Sequence, residues 1–228
     1  MRVCGKNVFK ELDIEKIKKI YLSRNNKDVE IFNYLKKNNL KYILTDPTLM
    51  NQMMSNNQGI IIDIHDYEYG TLEDVKDDSM VLILDHLEDP HNFGAIIRTC
   101  EARGVKNIII PKDRSVSVTE TVMKVSSGAL SHVNIIMVNN LVNAINKLKE
   151  KGYFIYAAEA GGSDYKKIKY ASKICLIIGS EGFGVSSLVK KNSDQIISIP
   201  MKGKVNSLNA SVAAGVLLFG LGGTDEIY

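Results

Sequence analysis

The feature that most constrains this chain is a repeated alternation of short apolar runs with segments of helical periodicity. Six runs of four to six residues, rich in isoleucine, valine and leucine, occur in the last two thirds of the 228 residues. Parallel strands need helical crossovers, and strands buried on both faces are apolar throughout. The pattern therefore predicts an α/β fold with a mostly parallel sheet that is covered on both faces. The predicted strands lie at 80–84, 107–110, 133–138, 153–158, 174–178 and 195–199.

A smaller unit precedes this sheet. It holds three predicted strands and one helix with apolar spacing between Val29 and Leu40. Residues 66–78 then carry six acidic side chains, one lysine and no apolar periodicity, which indicates a linker. We therefore expect a small α/β domain at 1–65, an acidic linker at 66–78 with a short helical start at its end, and a second domain at 79–228. The predicted strands of the small domain lie at 16–22, 42–44 and 59–64.

The composition excludes several classes of protein. Hydrophobic residues make up 45% of the chain, enough for sizeable cores, so a disordered or fibrous chain is excluded. The longest apolar stretch near the C-terminus, 212–221, falls well short of the roughly 20 residues that a bilayer requires, and the first residues lack a signal-peptide pattern. We expect a cytoplasmic protein without a membrane span. Cys4, Cys100 and Cys175 have no C-x-x-C spacing, so a disulfide framework and a zinc site are both disfavoured.

The charge is uneven along the chain although the formal net charge is only +3. Residues 1–65 carry 11 basic and 7 acidic side chains, and residues 79–228 carry 17 and 13. Two mildly basic regions fit a nucleic-acid partner, whose phosphates repel acidic proteins. A solvated lysine-rich face is at least as common, so charge alone leaves both interpretations open.

Three polar segments follow predicted strands, where open α/β sheets bind their ligands. The first, 85–98, contains a turn at Pro90, a candidate helix cap at Asn92 and Arg98 inside the predicted helix. Taken alone, Arg98 is better explained as a surface or ion-paired arginine. Four side chains of this turn could suggest a metal, but their spacing matches no standard ligand pattern and caps explain them better. They are Asp85, His86, Asp89 and His91.

The other two segments are a glycine-rich turn and a polar helix start. The turn at 179–184 holds Glu181 and matches neither the dinucleotide-binding fingerprint nor the Walker loop. Residues 200–211 carry small polar side chains before an apolar helix expected at 212–221, which suits a polar ligand but also an ordinary cap. Each segment is weak evidence alone. Because they follow successive strands of one predicted sheet, together they predict a binding site.

In these segments the chain resembles the SpoU-type RNA ribose 2′-O-methyltransferases of the knotted SPOUT class. The N-terminal part is similar to that family's substrate-binding domain, whose fold is like that of ribosomal protein L30e. Asn57 and His86 depart from the pattern, since histidine and glycine, respectively, are common there. The three motifs correspond to 89–98, to 178–182, and to 199–201 with 207–211. Residues 105–115 and 124–129 resemble the branch that modifies a guanosine of large-subunit ribosomal RNA, and 5–7 and 57–59 resemble its substrate-binding domain.

The resemblance implies a trefoil-knotted, mostly parallel sheet whose C-terminal segment forms a pocket for S-adenosylmethionine. It also implies an RNA substrate and a homodimer with the active site at the subunit interface, and no metal is required. The implied catalytic and positioning residues are Asn92, Arg98, Glu181, Ser207 and Asn209. The implied cofactor-binding residues are Gly179, Ser180, Glu181, Gly182, Ile199, Met201, Ser207, Leu208 and Asn209.

The implied activity is methylation of a ribose 2′-hydroxyl, with a guanosine of large-subunit ribosomal RNA as the best-matching target. A transfer RNA is an alternative substrate for the same chemistry. A catalytically silent RNA-binding or ribosome-assembly protein is an alternative of a different class. The intact set of five site residues argues against the silent protein, since a lost activity should relax at least one of them.

The reaction itself constrains the role of Arg98. A ribose hydroxyl is a poor nucleophile near neutral pH, so the site must take its proton or stabilise the alkoxide as it forms. No well-placed histidine is evident in the sequence. The family proposal makes the matching arginine the base, yet a guanidinium with a pKa above about 12 stays protonated. A clamp for the substrate phosphate that also stabilises the developing oxyanion is physically easier, and both roles stay open.

Overall fold

The small β-sheet is formed by the N-terminal part of the chain. A computed structural model describes residues 1–76 and 78–221; residues 77 and 222–228, which belong to the predicted linker and second domain, lie outside this range. The elements are β1 (Arg2–Cys4), α1 (Lys6–Glu11), β2 (Ile17–Ser23), α2 (Val29–Lys37), β3 (Ile43–Thr45), α3 (Pro47–Met53) and β4 (Ile60–Ile64). The strand order is β1-β4-β2-β3, with β1 and β2 antiparallel to β4 and β3 parallel to β2.

The large sheet is formed by the rest of the described chain. Its elements are β5 (Met80–Asp85), α4 (Pro90–Arg103), β6 (Asn107–Pro111), α5 (Glu120–Val125), β7 (Asn134–Val138), α6 (Leu141–Glu150), β8 (Phe154–Asp164), β9 (Ile174–Gly179), α7 (Ser187–Asn192), β10 (Gln195–Ser198) and α8 (Ala210–Gly220). The strand order is β10-β8-β9-β5-β6-β7, and every neighbouring pair is parallel. The predicted mixed α/β fold with a mostly parallel sheet is therefore confirmed.

Both faces of the large sheet are buried. Along β5, Leu82 and Leu84 belong to a core that includes apolar side chains of α4 and α8. Val81 and Ile83 belong to a second core, with α6 and α7. Successive side chains of a strand point to opposite faces, so covering both faces requires an unbroken apolar strand. This requirement is the reason the strands were visible as short apolar runs in the sequence.

The segment predicted as an acidic linker is packed along the large sheet. The hydroxyl of Tyr67 accepts a hydrogen bond from the backbone N–H of Ile135 at 3.2 Å, and that of Tyr69 accepts one from Val118 at 2.9 Å. Val75 is buried in the second core. The predicted short helical start corresponds to a 3-10 turn at Leu72–Asp74. These aromatic and apolar contacts hold the segment against the edge of the sheet near β7, whereas its acidic side chains and missing periodicity indicated a linker.

The small sheet contacts the larger unit through α5 and the turn that follows it. The backbone N–H of Arg2 donates to the carboxylate of Glu120, and the hydroxyl of Ser131 donates to the carbonyl of Glu11. Met123 packs against the cores of both units. The two sheets are therefore joined by side-chain packing as well as by the chain.

Strand β8 is longer than the sequence predicted. It continues past Ala158 to Asp164, and its register with β10 shifts between Ile196 and Ile197. A Cβ atom on Gly162 would lie 2.8 Å from the backbone of Ile196, so only glycine permits this close approach. Residues 158–162 have no partner in the ladder with β10, at the carboxyl edge of the sheet.

The described helices include none with both the length and the apolar composition needed to cross a bilayer, over residues 1–76 and 78–221.

Candidate functional site

A cavity of about 990 Å³ lies at the carboxyl edge of the large sheet. Its walls are the bulged part of β8, the loop after β9, the loop after β10 and the first turns of α8. The structure brings together in it all of the residues that the sequence predicted to bind a cofactor. These are Gly179, Ser180, Glu181, Gly182, Ile199, Met201, Ser207, Leu208 and Asn209.

The loop after β9 owes its tight shape to glycine. A Cβ atom on Gly179 would lie 2.0 Å from the carbonyl carbon of Gly184, so the two ends of the loop touch through bare backbone. Gly184 donates its N–H to the carbonyl of Ser180 at 2.9 Å, and Gly182 has a φ of +88°, which favours glycine. This geometry presents Glu181 at the mouth of the cavity.

Three polar side chains from three separate elements meet at that mouth. The amide of Asn92 donates to Oε1 of Glu181 at 2.6 Å, and the amide of Asn209 donates to the same oxygen at 2.7 Å. The Asn209 amide also donates to Oδ1 of Asn92 at 3.0 Å. A carboxylate that accepts two amide hydrogen bonds holds both donors firmly. The triangle therefore fixes the start of α4 and the start of α8 against the loop after β9.

Asn209 also caps α8. Its Oδ1 accepts hydrogen bonds from the backbone N–H groups of Ser211 and Val212 at 2.9 and 3.3 Å. Its amide group is thereby turned toward Glu181. One side chain therefore starts the helix and closes the triangle.

Asn92 does not cap α4, contrary to the sequence prediction. The helix begins at Pro90 and is capped by Asp89, whose carboxylate accepts from the N–H of His91 at 2.9 Å. Proline suits the first position of a helix, so the residue before it becomes the cap. Asn92 lies inside the first turn, buried, and its side chain is free to bind Glu181.

Arg98 lies apart from this triangle. It is exposed on α4, six residues beyond Asn92 and about 9 Å further along the helix axis. Within the described chain its guanidinium makes no hydrogen bond or ion pair with another side chain. A single copy of the chain thus brings together Asn92, Glu181 and Asn209, with Ser207 in the same cavity, but not Arg98.

Part of the cavity wall was not predicted from the sequence. Residues 158–161 line it from the bulged part of β8, and Ala213 and Leu217 line it from α8. Glu159 fixes the neighbouring loop, because its Oε2 accepts the N–H of Val185 at 3.0 Å. The pair Gly161-Gly162, in a run otherwise typical of a strand, was the available signal for a bulge or close backbone approach.

The acidic and histidine side chains around residue 85 are held by the backbone and by one another. Asp85 is 1% exposed; one oxygen lies 2.5 Å from Nδ1 of His86, and the other accepts the N–H of Ser186 at 2.7 Å. His86 has a φ of +57°, the left-handed region in which glycine is favoured. Across residues 1–76 and 78–221, no three His, Cys, Asp or Glu side chains form a group suited to a metal ion.

Asn57 is a structural residue of the small unit. It is buried, its amide donates to Oδ1 of Asn51 and to the carbonyl of Met54, and its Oδ1 accepts the N–H of Gly59, each at 2.9 Å. All of these contacts lie between the end of α3 and the start of β4. The departure from histidine at this position therefore leaves a well-bonded turn.

Two family models together match nearly the whole described chain. The model of the SpoU rRNA methylase family matches residues 79–219, and that of the RNA 2′-O ribose methyltransferase substrate-binding domain matches residues 2–70. The first match alone spans more than half of the chain. The chain belongs to the SpoU rRNA methylase family.

Relatives with a curated name carry the same assignment. A Staphylococcus saprophyticus protein assigned to the TrmH family of tRNA/rRNA methyltransferases is 48% identical over 173 residues, which are 72% of this chain and 70% of the relative. The Bacillus subtilis protein YacO, assigned to the same family, is 36% identical over 231 residues, which are 95% and 93% of the two chains.

Solved structures match the fold over nearly its full length. The SpoU methyltransferase AviRb from Streptomyces viridochromogenes, in complex with AdoMet, superposes with a TM-score of 0.85 at 20% identity, covering 96% of this chain and 88% of that one. An AdoMet-bound rRNA methyltransferase from Sinorhizobium meliloti gives 0.81 at 24% identity, covering 96% and 85%. At these identities the likeness establishes the fold.

Proposed function

We propose that this protein transfers a methyl group from S-adenosylmethionine to a ribose 2′-hydroxyl of RNA. The observation that carries the proposal is the triangle of Asn92, Glu181 and Asn209 at the mouth of the large cavity. Its three members come from the three motifs that resemble this family of enzymes. The proposed enzyme has the knotted SPOUT topology and an N-terminal domain with a fold like that of ribosomal protein L30e.

The cavity suits S-adenosylmethionine in size and in lining. Its volume of about 990 Å³ lies at the upper end of the range of small-molecule sites. Apolar side chains such as Ile199 and Leu208 can cover the adenine, and backbone groups of the glycine-rich loop can bind its polar edge. Among the described residues the hydroxyl of Ser207 has no hydrogen-bond partner in the protein and is available to a ligand. When bound, this cofactor supplies a methyl group on a positively charged sulfur.

The residues of the triangle would position the attacking ribose. Asn92 and Ser207 would orient the ribose and its 2′-hydroxyl, while Glu181 and Asn209 hold the loops in place. Fixing the hydroxyl oxygen in line with the methyl group removes much of the entropic part of the barrier. Arg98 would bind the neighbouring phosphate and stabilise the negative charge that develops on the oxygen. The alternative, in which Arg98 takes the proton itself, ranks second because a guanidinium has no free lone pair to accept one.

A homodimer would complete the site. Arg98 is exposed on α4, and α8, which packs against α4, carries the exposed apolar side chains Val212 and Phe219. Val212 and Phe219 are seven residues apart and so share one face of α8, and an exposed apolar face favours a protein interface. In a dimer, Arg98 can be supplied to the triangle at the subunit interface, which accounts for its isolation within one copy.

RNA is the proposed partner, and a guanosine of large-subunit ribosomal RNA is the proposed target. The match of residues 2–70 to an RNA substrate-binding domain supports an RNA partner. Relatives named for both tRNA and rRNA leave a transfer RNA as the second candidate substrate.

Calorimetry with the purified chain tests the proposal first. We expect S-adenosylmethionine to bind, and a labelled methyl group to pass to a transcript of large-subunit ribosomal RNA that has never been modified. A transcript already methylated at the target ribose should accept nothing. No binding of the cofactor at millimolar concentration would contradict the enzyme and favour a silent RNA-binding protein.

A further inference from the structure

A second hollow, of about 730 Å³, lies beside the cofactor cavity. The two share the loop after β9, since Ser180, Glu181, Phe183 and Gly184 line both. The other walls come from the turn after β5 and from Arg114, in the loop after β6. A molecule in this hollow would lie directly against the site proposed for methyl transfer.

His86 presents one free ring nitrogen in this hollow. Its Nδ1 lies 2.5 Å from the buried carboxylate of Asp85, and a carboxylate can only accept, so Nδ1 carries the proton. Nε2 is therefore the ring nitrogen that is left to bind a ligand. Within residues 1–76 and 78–221, Nε2 has no partner in the protein, and the side chain is 32% exposed. The buried Asp85, itself held by Ser186, fixes the orientation of the ring.

Phe183 and Arg114 add two groups that suit a nucleotide. Phe183 is 92% exposed, which is unusual for a large aromatic side chain and leaves a ring face open to stacking. Arg114 is exposed and has no ion-pair partner among the described residues, so its guanidinium is available to a phosphate. Unpaired bases of RNA are recognised by stacking on aromatic rings together with hydrogen bonds to their edges.

Most carboxylates around the hollow already have partners. Asp85 is bound to His86 and Ser186, Glu181 to the two asparagine amides, and Asp89 to the start of α4. Glu88 is exposed and unpaired within the described chain. The hollow therefore combines one aromatic face, one cation and free hydrogen-bond acceptors, which suits a whole nucleotide better than a bare phosphate.

We propose that this hollow holds the nucleotide that receives the methyl group, unpaired from the RNA, with its base on Phe183 and a hydrogen bond between the base and Nε2 of His86. The inference rests on the proposed function, because the hollow adjoins the proposed cofactor cavity. It assigns substrate binding to His86, which the sequence marked as a departure from glycine and as one of four side chains of a disfavoured metal cluster.

The variants His86→Gly and Phe183→Ala test the proposal, and the Tm of each is compared with that of the wild type because His86→Gly leaves one oxygen of the buried Asp85 without its partner. His86 has a φ of +57°, so glycine takes its place without strain, and the Phe183 side chain is almost fully exposed. Leu188→Ala is the matched control, because Leu188 is exposed on α7 next to the hollow but does not line it. The probes are an unmodified transcript of large-subunit ribosomal RNA and S-adenosylmethionine. RNA affinity is also measured in the presence of S-adenosylhomocysteine.

We expect kcat/KM for the RNA to fall in both variants, by about five- to a hundredfold for Phe183→Ala, the range for loss of one base stack. The affinity for S-adenosylmethionine should stay within about twofold in His86→Gly, because His86 does not line the cofactor cavity, and Leu188→Ala should match the wild type. If the wild type methylates RNA and both variants have the same kcat/KM as the wild type, the nucleotide site is wrong. The proposed function is not affected by that result. A large loss of cofactor affinity in both variants would assign these residues to the cofactor cavity instead. If the wild type neither binds the cofactor nor transfers a methyl group, both proposals fail.

Discussion

Asn92 donates a 2.6 Å hydrogen bond to Glu181, which lies 89 residues further along the chain. The contact joins the first turn of α4 to the loop after β9. Because Asn209 binds the same carboxylate oxygen, a change at Glu181 affects three segments at once.

Replacement of this carboxylate should loosen the cofactor cavity. In Glu181→Gln the neutral amide makes weaker hydrogen bonds to Asn92 and Asn209, because hydrogen bonds to a charged group are worth about 1.5–3 kcal/mol. We expect S-adenosylmethionine to bind about tenfold more weakly, measured by calorimetry. Glu150→Gln, an exposed carboxylate at the end of α6, is the control. Equal affinity of Glu181→Gln and wild type would show that the triangle does not shape the cavity.

Two variants of Arg98 distinguish its two proposed roles, which are phosphate clamp with oxyanion stabiliser and base. Arg98→Ala should lose on the order of a hundredfold or more in kcat, the scale of a lost transition-state charge contact, while Arg98→Lys should stay partly active. Cofactor affinity should change little in both, because the side chain is exposed and lies outside the cavity. Single-turnover rates measured across pH provide the test. Full turnover in Arg98→Ala would remove Arg98 from the mechanism. Complete inactivity of Arg98→Lys, with RNA and cofactor bound normally, would favour a role specific to the guanidinium, including that of base.

A pair of glycine substitutions tests the tight loop after β9. In Gly179→Ala the new methyl group would lie 2.0 Å from the carbonyl carbon of Gly184, so the backbone must move. Overpacking of this kind costs about 1–3 kcal/mol, and we expect a lower Tm and weaker cofactor binding. Gly203 lines the same cavity, but a Cβ atom at this position would have no atom within 4 Å. Gly203→Ala should therefore behave like the wild type. Thermal unfolding of both variants, with and without cofactor, shows whether the close approach of Gly179 to Gly184 is required for stability and cofactor binding.

Removal of the small unit should separate RNA binding from cofactor binding. The structure sets the best boundary at residue 66, because Tyr67 and Tyr69 bind the large sheet. A chain that starts there should keep dimerisation and cofactor affinity but lose RNA affinity and turnover. The RNA affinity of the full chain should fall steeply with salt, since binding to phosphates releases counterions. Equal activity of both chains on the same RNA would contradict this division.

Acid should weaken the small sheet through Asp63. Arg2 on β1 donates two hydrogen bonds to this carboxylate on β4, at 2.7 and 3.1 Å, and they lower the pKa of Asp63 below its ordinary value. Because the pKa of Asp63 is lower in the folded state, its ionised form stabilises the protein at pH values above the unfolded-state pKa of about 3.9. This stabilisation is lost as the pH falls through the folded-state pKa. The free energy of unfolding should therefore drop below about pH 4. In Asp63→Asn this part of the decrease in the free energy of unfolding at low pH should be absent, as measured by denaturant titration. The same pH dependence in Asp63→Asn and the wild type would show that the Arg2–Asp63 pair does not contribute.

The parallel sheet could be predicted from the sequence because its physical requirement is local. Burial of both faces makes each strand an apolar run, as at 80–84, and such a run is visible without any knowledge of its neighbours. The cavity residues could be placed because parallel strands end at one edge. In contrast, β1, α1 and α3 have few residues and little periodicity, so they were missed.

Long-range contacts explain the remaining differences. The local pattern made Asn92 a cap, whereas its partner Glu181 lies in another loop. The tyrosines of the predicted linker bind backbone groups of the large sheet, which charge patterning does not reveal. Asp85 and His86 were explained as part of a cap-rich turn because their spacing matched no metal-ligand pattern, but a φ of +57° turns His86 toward the hollow beside the proposed active site.

Nucleoside analysis of the methylated RNA tests the central claim most directly. Unmodified transcripts of large-subunit ribosomal RNA and of transfer RNAs are incubated in separate reactions with purified protein and S-adenosylmethionine. Each RNA is then digested to nucleosides, which are measured by mass spectrometry. The account predicts 2′-O-methylguanosine in the ribosomal transcript. Mapping on nuclease fragments of the same RNA should place it at one position, which is also methylated in cells with the gene and unmethylated in cells without it. A methyl group on a base, or no transfer to any RNA by a protein that binds the cofactor, would contradict it.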